Sequence, residues 1–188
     1  MAAGKSAVKT KTAGAIRAGN GKYHFRMDQL KKVPAGTGYS TSHGGVVEGA
    51  RILVGYIHKP RGTGSRMHSH KNEQLNYVLR GTLMGSVNGK KVVAPAGTLI
   101  YIPANAPHNL IASPKDKDVI FLAIKDLSQG IIGMAVDGKM TGPHYEKGFG
   151  PAGKKSAGKK SAAKKPAKKN AGAKKAAKKP AKKKAAKK

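Results

Sequence analysis

The chain has 188 residues and a formal net charge of +30, because 38 Lys and Arg stand against 8 Asp and Glu. The excess is uneven, since residues 151–188 carry 17 lysines and no acid, and residues 1–22 carry five basic residues and no acid. The remaining 16 basic and 8 acidic residues give residues 23–150 a charge of only +8. That middle segment has the length of one ordinary domain, so we expect one globular domain between two basic ends.

The composition excludes several classes of protein and site. The chain has no cysteine, which rules out a disulfide framework, a thiolate metal site and a Cys nucleophile. No stretch approaches the roughly 20 apolar residues that span a bilayer, and the first 19 residues lack the apolar run of a signal peptide. We therefore expect a cytoplasmic protein without a membrane span, in which any metal is held by His and oxygen ligands.

Both basic ends are poor in apolar residues. Residues 1–22 predict a flexible arm, because one Val and one Ile bury too little surface to offset the entropy of ordering the segment. An organelle transit peptide is the alternative, although the segment has a single Arg and no clear amphipathic face. Residues 151–188 repeat Lys-Lys pairs separated by Ala, Gly, Ser and Pro, and their self-repulsion predicts a disordered tail.

From Tyr23 onwards, short β-branched and aromatic runs are broken by Gly, Pro and Asn, which is typical of an antiparallel β domain. Asn88-Gly89 lies between two such runs and predicts a hairpin, because both residues tolerate positive φ. A single turn of helix is expected within residues 26–32. The predicted strands are 51–58, 75–79, 82–87, 91–94, 98–102, 119–124 and 131–136. The predicted fold class is all-β.

Two of the seven histidines form a His-x-His pair, His68 and His70. On a strand the two-residue period would point both imidazoles to the same face. A third His from another strand would complete a common transition-metal site. The pair alone is a weak signal, because it often arises by chance.

The spacing around this pair is more specific. Gly62 is followed after five residues by His68 and His70, then after three by Gln74, and after six more by Gly81. This pattern resembles the first of two cupin motifs, which has a Glu three or four residues after the His pair.

A second pattern follows after 15 further residues. Gly97, Pro103 and His108 occur at the spacing of the second cupin motif. Asn105 replaces the motif's second Gly, which is a mild change because Asn also tolerates the left-handed conformation of a tight turn. The motif's final Asn would fall at Ala112 and is missing. The resemblance to the cupin family implies a double-stranded β-helix, or jelly-roll barrel, over residues 23–150.

The resemblance also implies a divalent metal, Fe, Mn, Zn, Ni or Cu, bound by His68, His70, His108 and a residue near position 74. Gln74 stands where the family usually has its Glu ligand. Glu73 is the rival, but it is one residue short of the usual gap and would point to the opposite strand face. A shell with Gln74 would be neutral, so it should bind metal less tightly but leave a stronger Lewis acid. A barrel that has lost its metal is the other alternative.

Three further residues are candidates for catalysis. If Ile52, Val54, Tyr56 and His58 form the inner face of their strand, Tyr56 and His58 line the barrel beside the metal. His58 could equally be a packing or rim residue. Arg66 precedes the His pair by two residues and could bind a substrate carboxylate bidentately, or be a solvated rim charge. Asn76 shares strand parity with Gln74 and would be an inward hydrogen-bond donor.

The Lys-rich tail resembles the tails of linker histones and bacterial histone-like proteins in composition. Its lysines predict nucleic-acid binding without sequence specificity, and an association with the nucleoid, because neutralised phosphates release counterions. The tail has no aromatics to stack on bases and no arginines to contact guanine edges. The alternative is a polycation that promotes solubility or binds a membrane surface.

Two classes of function follow from these features. The first is a metal-dependent enzyme acting on a small oxygenated metabolite by isomerase, dioxygenase or lyase chemistry. The second is a non-catalytic metabolite-binding or structural barrel that the tail tethers to DNA. A homodimer is expected in either case, since small cupins usually pair through edge strands that otherwise invite aggregation.

Overall fold

The computed structural model of the protein describes residues 9–151. The tail predicted to be disordered lies outside the described residues apart from Pro151, and so do residues 1–8 of the predicted arm. Within the described part of the chain no helix is long and apolar enough to cross a membrane.

The described residues form fourteen strands and one turn of 3₁₀ helix, Met27–Gln29. In chain order the strands are β1 (Ile16–Arg17), β2 (Val33–Pro34), β3 (His43–Glu48), β4 (Ile52–Lys59), β5 (Thr63–Gly64), β6 (His68–Ser69), β7 (Gln74–Arg80), β8 (Thr82–Val87), β9 (Lys90–Pro95), β10 (Leu99–Ile102), β11 (His108–Ala112), β12 (Val119–Asp126), β13 (Met134–Ala135) and β14 (His144–Tyr145).

The strands form two sheets of seven strands each. The first has the order β1-β3-β4-β12-β7-β10, with β2 also paired to β3, and the second joins β13, β6, β11, β5 and β14, with β8 on β11 and β9 on β8. Apart from the parallel β1–β3 pair, the pairings among the described strands are antiparallel. Buried apolar residues from both sheets form one core, which confirms the predicted all-β jelly-roll barrel.

The hairpin between β8 and β9 has the predicted turn. Asn88 and Gly89 adopt φ of 49° and 76°, and Val87 pairs with Lys90 across the turn. Two consecutive positive φ values give the type of turn whose twist matches that of the strands.

The face of β4 that points into the barrel is not the face that carries Tyr56 and His58. Along β4 the buried positions are Leu53, Gly55, Ile57 and Lys59, and the alternate positions are half-buried or exposed. Tyr56 and His58 therefore lie on the outer face, so their predicted place inside the barrel is wrong. Both faces of this strand carry apolar residues, and the chain around the 3₁₀ helix lies over part of the outer one.

Residues 9–22, the described part of the predicted arm, do not form a flexible arm. The carboxylate of Glu48, which is fully buried, accepts hydrogen bonds from the backbone N–H groups of Lys11 and Thr12, at 2.8 and 2.7 Å. The Thr12 hydroxyl accepts a 3.0 Å bond from the N–H of Ile131, and β1 then pairs with the end of β3. A buried carboxylate and a strand pairing therefore attach this segment to the barrel.

Candidate metal centre

Three histidines converge inside the barrel. His68 lies in β6, His70 follows it, and His108 begins β11 directly opposite His68 in the strand register. All three are at most 8% exposed, and one ring nitrogen from each lies within 4.8 Å of the others. The ring centroid of His108 is 4.0 Å from that of His68 and 4.8 Å from that of His70. This cluster could bind a metal ion.

The backbone fixes which nitrogen of each ring points into the cluster. Nδ1 of His68, His70 and His108 lies 2.9, 2.6 and 2.9 Å from a backbone carbonyl two residues away in sequence. Because a carbonyl only accepts, each Nδ1 carries the proton, and each Nε2 keeps its lone pair. Nε2 of His70 is buried and has no hydrogen-bond partner. Three neutral imidazoles with free Nε2 atoms are a donor set that fits a divalent transition metal.

Burial keeps these rings neutral. Together with the smaller effect of the neighbouring His108, it lowers the pKa of His68 to about 2. Burial likewise lowers the pKa of His70 and of His108 to about 4. Neutral imidazole is the form that binds metals, so no proton needs to be displaced near pH 7.

The second motif loop holds His70 and His108 together. Asn105 adopts the left-handed conformation, with φ of 62°, as expected of the residue that replaces Gly. Its N–H donates a 2.8 Å hydrogen bond to the carbonyl of His70. The loop that carries His108 is thereby attached to the segment that carries the His pair.

Gln74 and Glu73 have different environments. Gln74 lines the cavity beside the three histidines, and its Nε2 donates a 2.6 Å hydrogen bond to Oδ1 of Asn76, which is 1% exposed. This bond leaves Oε1 of Gln74 free to act as a ligand. The Glu73 carboxylate lies outside the cavity and accepts a 3.0 Å bond from the exposed Tyr101 hydroxyl.

Arg66 does not reach the cavity. Its guanidinium donates a 2.7 Å hydrogen bond to Asp137 at a partly exposed position, although its carbonyl accepts the bond from His68. The chain from 65 to 67 is not a strand, so the parity argument fails there. His58 likewise pairs with Asp118 at 3.1 Å on the outer face, and Tyr56 lines a surface cleft with Met27. The structure thus contradicts the placement of Tyr56 and His58 beside a metal, and it pairs Arg66 with Asp137 outside the cavity, as a rim charge.

Two lysines that the sequence interpretation missed line the cavity instead. Lys59 and Lys125 are 3% and 2% exposed and occupy inward positions at the ends of β4 and β12. Burial lowers the pKa of each to about 7. Lys59 shares a face of β4 with Leu53 and Ile57, and Lys125 lies opposite Leu53 on the neighbouring strand. This alternation could have indicated that both lysines point inward, but the opposite face of each strand is equally apolar.

Tyr39 completes the wall at His68. The two ring centroids are 4.5 Å apart, and the Tyr39 hydroxyl accepts a 2.8 Å hydrogen bond from the N–H of Gly133. Burial raises the pKa of Tyr39 to about 12. Tyr39 lies before the cupin-like motifs, so their spacing gave no signal for it. The cavity that these residues line has room for a few water-sized molecules or one small ligand.

Comparisons with known proteins agree with this architecture. Residues 55–125 match the protein family described as Cupin domain, and both motif patterns lie within the matched residues. No curated protein sequence gives a significant match.

Several solved structures are similar to the chain. The polyketide cyclase RemF from Streptomyces resistomycificus is 18% identical, with 57% of this chain and 81% of that chain covered and a TM-score of 0.50. An RmlC-like cupin from Shewanella frigidimarina is 19% identical, covering 57% and 92%, with a TM-score of 0.47. KdgF from Halomonas sp. is 18% identical, covering 54% and 92%, with a TM-score of 0.46. At this identity the likeness supports the fold alone.

Proposed function

We propose that the barrel is a mononuclear metal-binding cupin in which His68, His70, His108 and Gln74 hold one divalent ion, and that it acts on a small oxygenated metabolite. The observation that carries this proposal is the convergence of three anchored imidazoles, one with a buried and unpartnered Nε2. A lone pair buried without a partner costs free energy, and a metal ion would satisfy it.

The chain's own residues set the properties of such a centre. Carbonyls hold the three rings in one tautomer, and Asn76 orients the Gln74 amide so that its oxygen is free. All four ligands are neutral, and the barrel excludes bulk water from them. A divalent ion bound there would supply Lewis acidity and open positions for an oxygen-bearing ligand, which is compatible with isomerase, dioxygenase or lyase chemistry.

Metal content tests the proposal. The full-length protein, purified without chelators, should contain close to one metal per chain by elemental analysis. His68→Ala and His108→Ala should lose the metal while their circular dichroism stays that of a folded barrel. His24→Ala is the matched control, because His24 is exposed and outside the cluster. Less than about one metal per ten chains in the unmodified protein would overturn the proposal.

Turnover separates an enzyme from the non-catalytic alternative. If the barrel is an enzyme, His108→Ala should abolish turnover of any substrate found by screening small oxygenated metabolites. A barrel that binds metal and the same metabolite without converting it would favour a binding module.

For the tail we propose nucleic-acid association without sequence specificity, supported by the 17 lysines and the absence of acid in residues 151–188. If roughly eight lysines contact duplex DNA together, log K should fall with log salt at a slope of about −7. Removing residues 151–188 should eliminate most of the salt-sensitive retention on DNA. Equal retention of the truncated protein would refute the assignment.

A further inference from the structure

Two cations are buried in the same cavity as the histidine cluster. Lys59 and Lys125 belong to paired neighbouring strands, where Lys59 lies opposite Val119 and Lys125 lies opposite Leu53. They are therefore at opposite ends of one two-stranded ribbon, and both side chains point inward. The two side chains approach the cavity from its two ends.

Neither ammonium group has an anionic partner among the described residues. Lys59 Nζ donates to the carbonyl of Leu110 at 2.6 Å, and Lys125 Nζ donates to the carbonyl of Ile131 at 3.4 Å. The residues that line the cavity include no Asp or Glu, and the described ion pairs include neither lysine. An ammonium group has three donors, so each lysine keeps donors that the protein does not use. The Phe121 ring near Lys59 and the charge of Asp126 near Lys125 compensate the two charges only in part, because neither makes an ion pair with them.

Both lysines are close enough to the histidines to interact with them electrostatically. The charge of Lys59 lowers the pKa of His68 and of His108, and the charge of Lys125 lowers the pKa of His70 and of His108. Both lysines also line the same cavity as the histidine cluster, so a ligand seated at the cluster would lie near both cations.

Packing alone does not account for the two charges. An unpaired buried ammonium is costly, and an apolar side chain of similar length would fill the same space without that cost. An anion in the cavity would offset this cost while both lysines stay charged. The four neutral side chains of the cluster contribute no negative charge, so two anionic groups are needed to balance the two lysines.

We propose that Lys59 and Lys125 form an anion-binding pair that selects a small dicarboxylate as the ligand of the barrel cavity. This proposal rests on the proposed function, because the lysine pair shares its cavity with the histidine cluster. It adds the chemical class of the metabolite that would bind there. The cavity has room for a small ligand. The hydroxyl of Ser42 lines the same space and can donate a hydrogen bond to a carboxylate.

Thermal unfolding of the full-length, metal-stripped protein tests the pair with malonate as the probe. Malonate at saturating concentration should raise the unfolding midpoint by about 5 °C or more, because it binds the folded barrel preferentially. Binding to the Lys-rich tail should not contribute, since it is equally available in the unfolded chain. Malonamide, which has nearly the same shape and no charge, should give no shift, and acetate should give a smaller one.

Variants assign the shift to the lysines. Lys59→Met and Lys125→Met should each weaken malonate binding at least about tenfold, and the double variant should show no malonate shift. Lys90→Met removes an exposed lysine and should behave like the unmodified protein. An undiminished shift in the double variant, an equal shift with malonamide or acetate, or no shift in the unmodified protein would overturn the proposal. If a variant fails to fold, the comparison of malonate with malonamide and acetate in the unmodified protein still tests the proposal.

The outcome can be separated from that of the metal proposal. The double lysine variant keeps every proposed metal ligand, so its metal content should equal that of the unmodified protein. If the protein purified without chelators contains no metal but shows the malonate shift, the metal centre is overturned and the lysine pair is supported. If it contains metal as purified but shows no malonate shift after the metal is stripped, the lysine pair is overturned and the metal centre is supported.

Discussion

Replacing Lys59 by Met should stabilise the unliganded protein below pH 7, and the gain should shrink as the pH rises. Burial lowers the pKa of Lys59 from 10.5 to about 7 in the folded state. Below pH 7 the lysine is charged in both states, and the folded protein bears the full cost of burying the charge. Between about pH 7 and 10.5 the unfolded chain binds more protons than the folded one, so stability rises with pH.

The size of the effect follows from the same shift. A change of about 3.5 pKa units corresponds to about 5 kcal/mol at about 1.4 kcal/mol per unit, which is the largest gain expected at pH 6.5. Loss of the hydrogen bond that Lys59 donates should offset little of this gain in stability. The Leu110 carbonyl that accepts it also accepts from the N–H and the hydroxyl of Ser65, so it keeps partners in the variant. Met has a length similar to that of Lys, so it should leave no large cavity.

Urea unfolding followed by circular dichroism measures the difference, since the chain has no tryptophan for fluorescence. Metal-stripped protein and Lys59→Met should be compared at pH 6.5, 8 and 9.5, with Lys90→Met as the control. The titrating neighbours of Lys59 are His68 and His108, whose pKa values are low enough that both stay neutral over this range. A pH-independent difference, or a variant less stable than the unmodified protein at pH 6.5, would refute the reasoning.

Three further predictions concern other parts of the molecule. Glu48→Ala should destabilise the barrel by about 3 to 5 kcal/mol in urea unfolding, because the buried N–H of Thr12 and the partly buried N–H of Lys11 lose a charged acceptor; a loss under about 1 kcal/mol would contradict this. Gln74→Glu should tighten metal binding about tenfold or more in chelator competition, since it adds a negative charge to a neutral shell, and weaker binding would argue against position 74 as a ligand. If the predicted homodimer forms through edge strand β10, Leu99→Glu should produce monomers in sedimentation, because Leu99 is 56% exposed on that strand; an unchanged state would place the contact elsewhere.

The sequence predicted those parts of the fold in which a single local pattern determines the structure. Asn88-Gly89 leaves few alternatives to a hairpin, and the motif spacing picked out the three histidines that the structure brings together. β3 was missed because its Gly44-Gly45 pair weakens the strand pattern. In the structure Gly44 lies against the carbonyl of Tyr56 on β4, where a side chain would collide. Such close contact between strands leaves no local trace other than the glycine itself.

The errors at the site have a different cause. In β4 and β12 both faces carry apolar residues, so alternation alone could not show which face is inside. The choice of face determined whether His58 or Lys59 lay in the cavity, and only the pairing of the whole sheet decides it. Arg66 was assigned by strand parity, but it lies in irregular chain, where parity has no meaning.

The short strands β1 and β2 determine how the protein can be handled. Together they pair with both ends of β3 along the side that faces away from β4, so β3 is not an open edge. A fragment that begins at Tyr23 would keep β2 but lose β1, and it would leave the backbone groups of Val47 and Glu48 available to another chain. Such a fragment should aggregate more readily than the full-length protein. For this barrel, truncation at the apparent compositional boundary would therefore remove part of the protection against self-association.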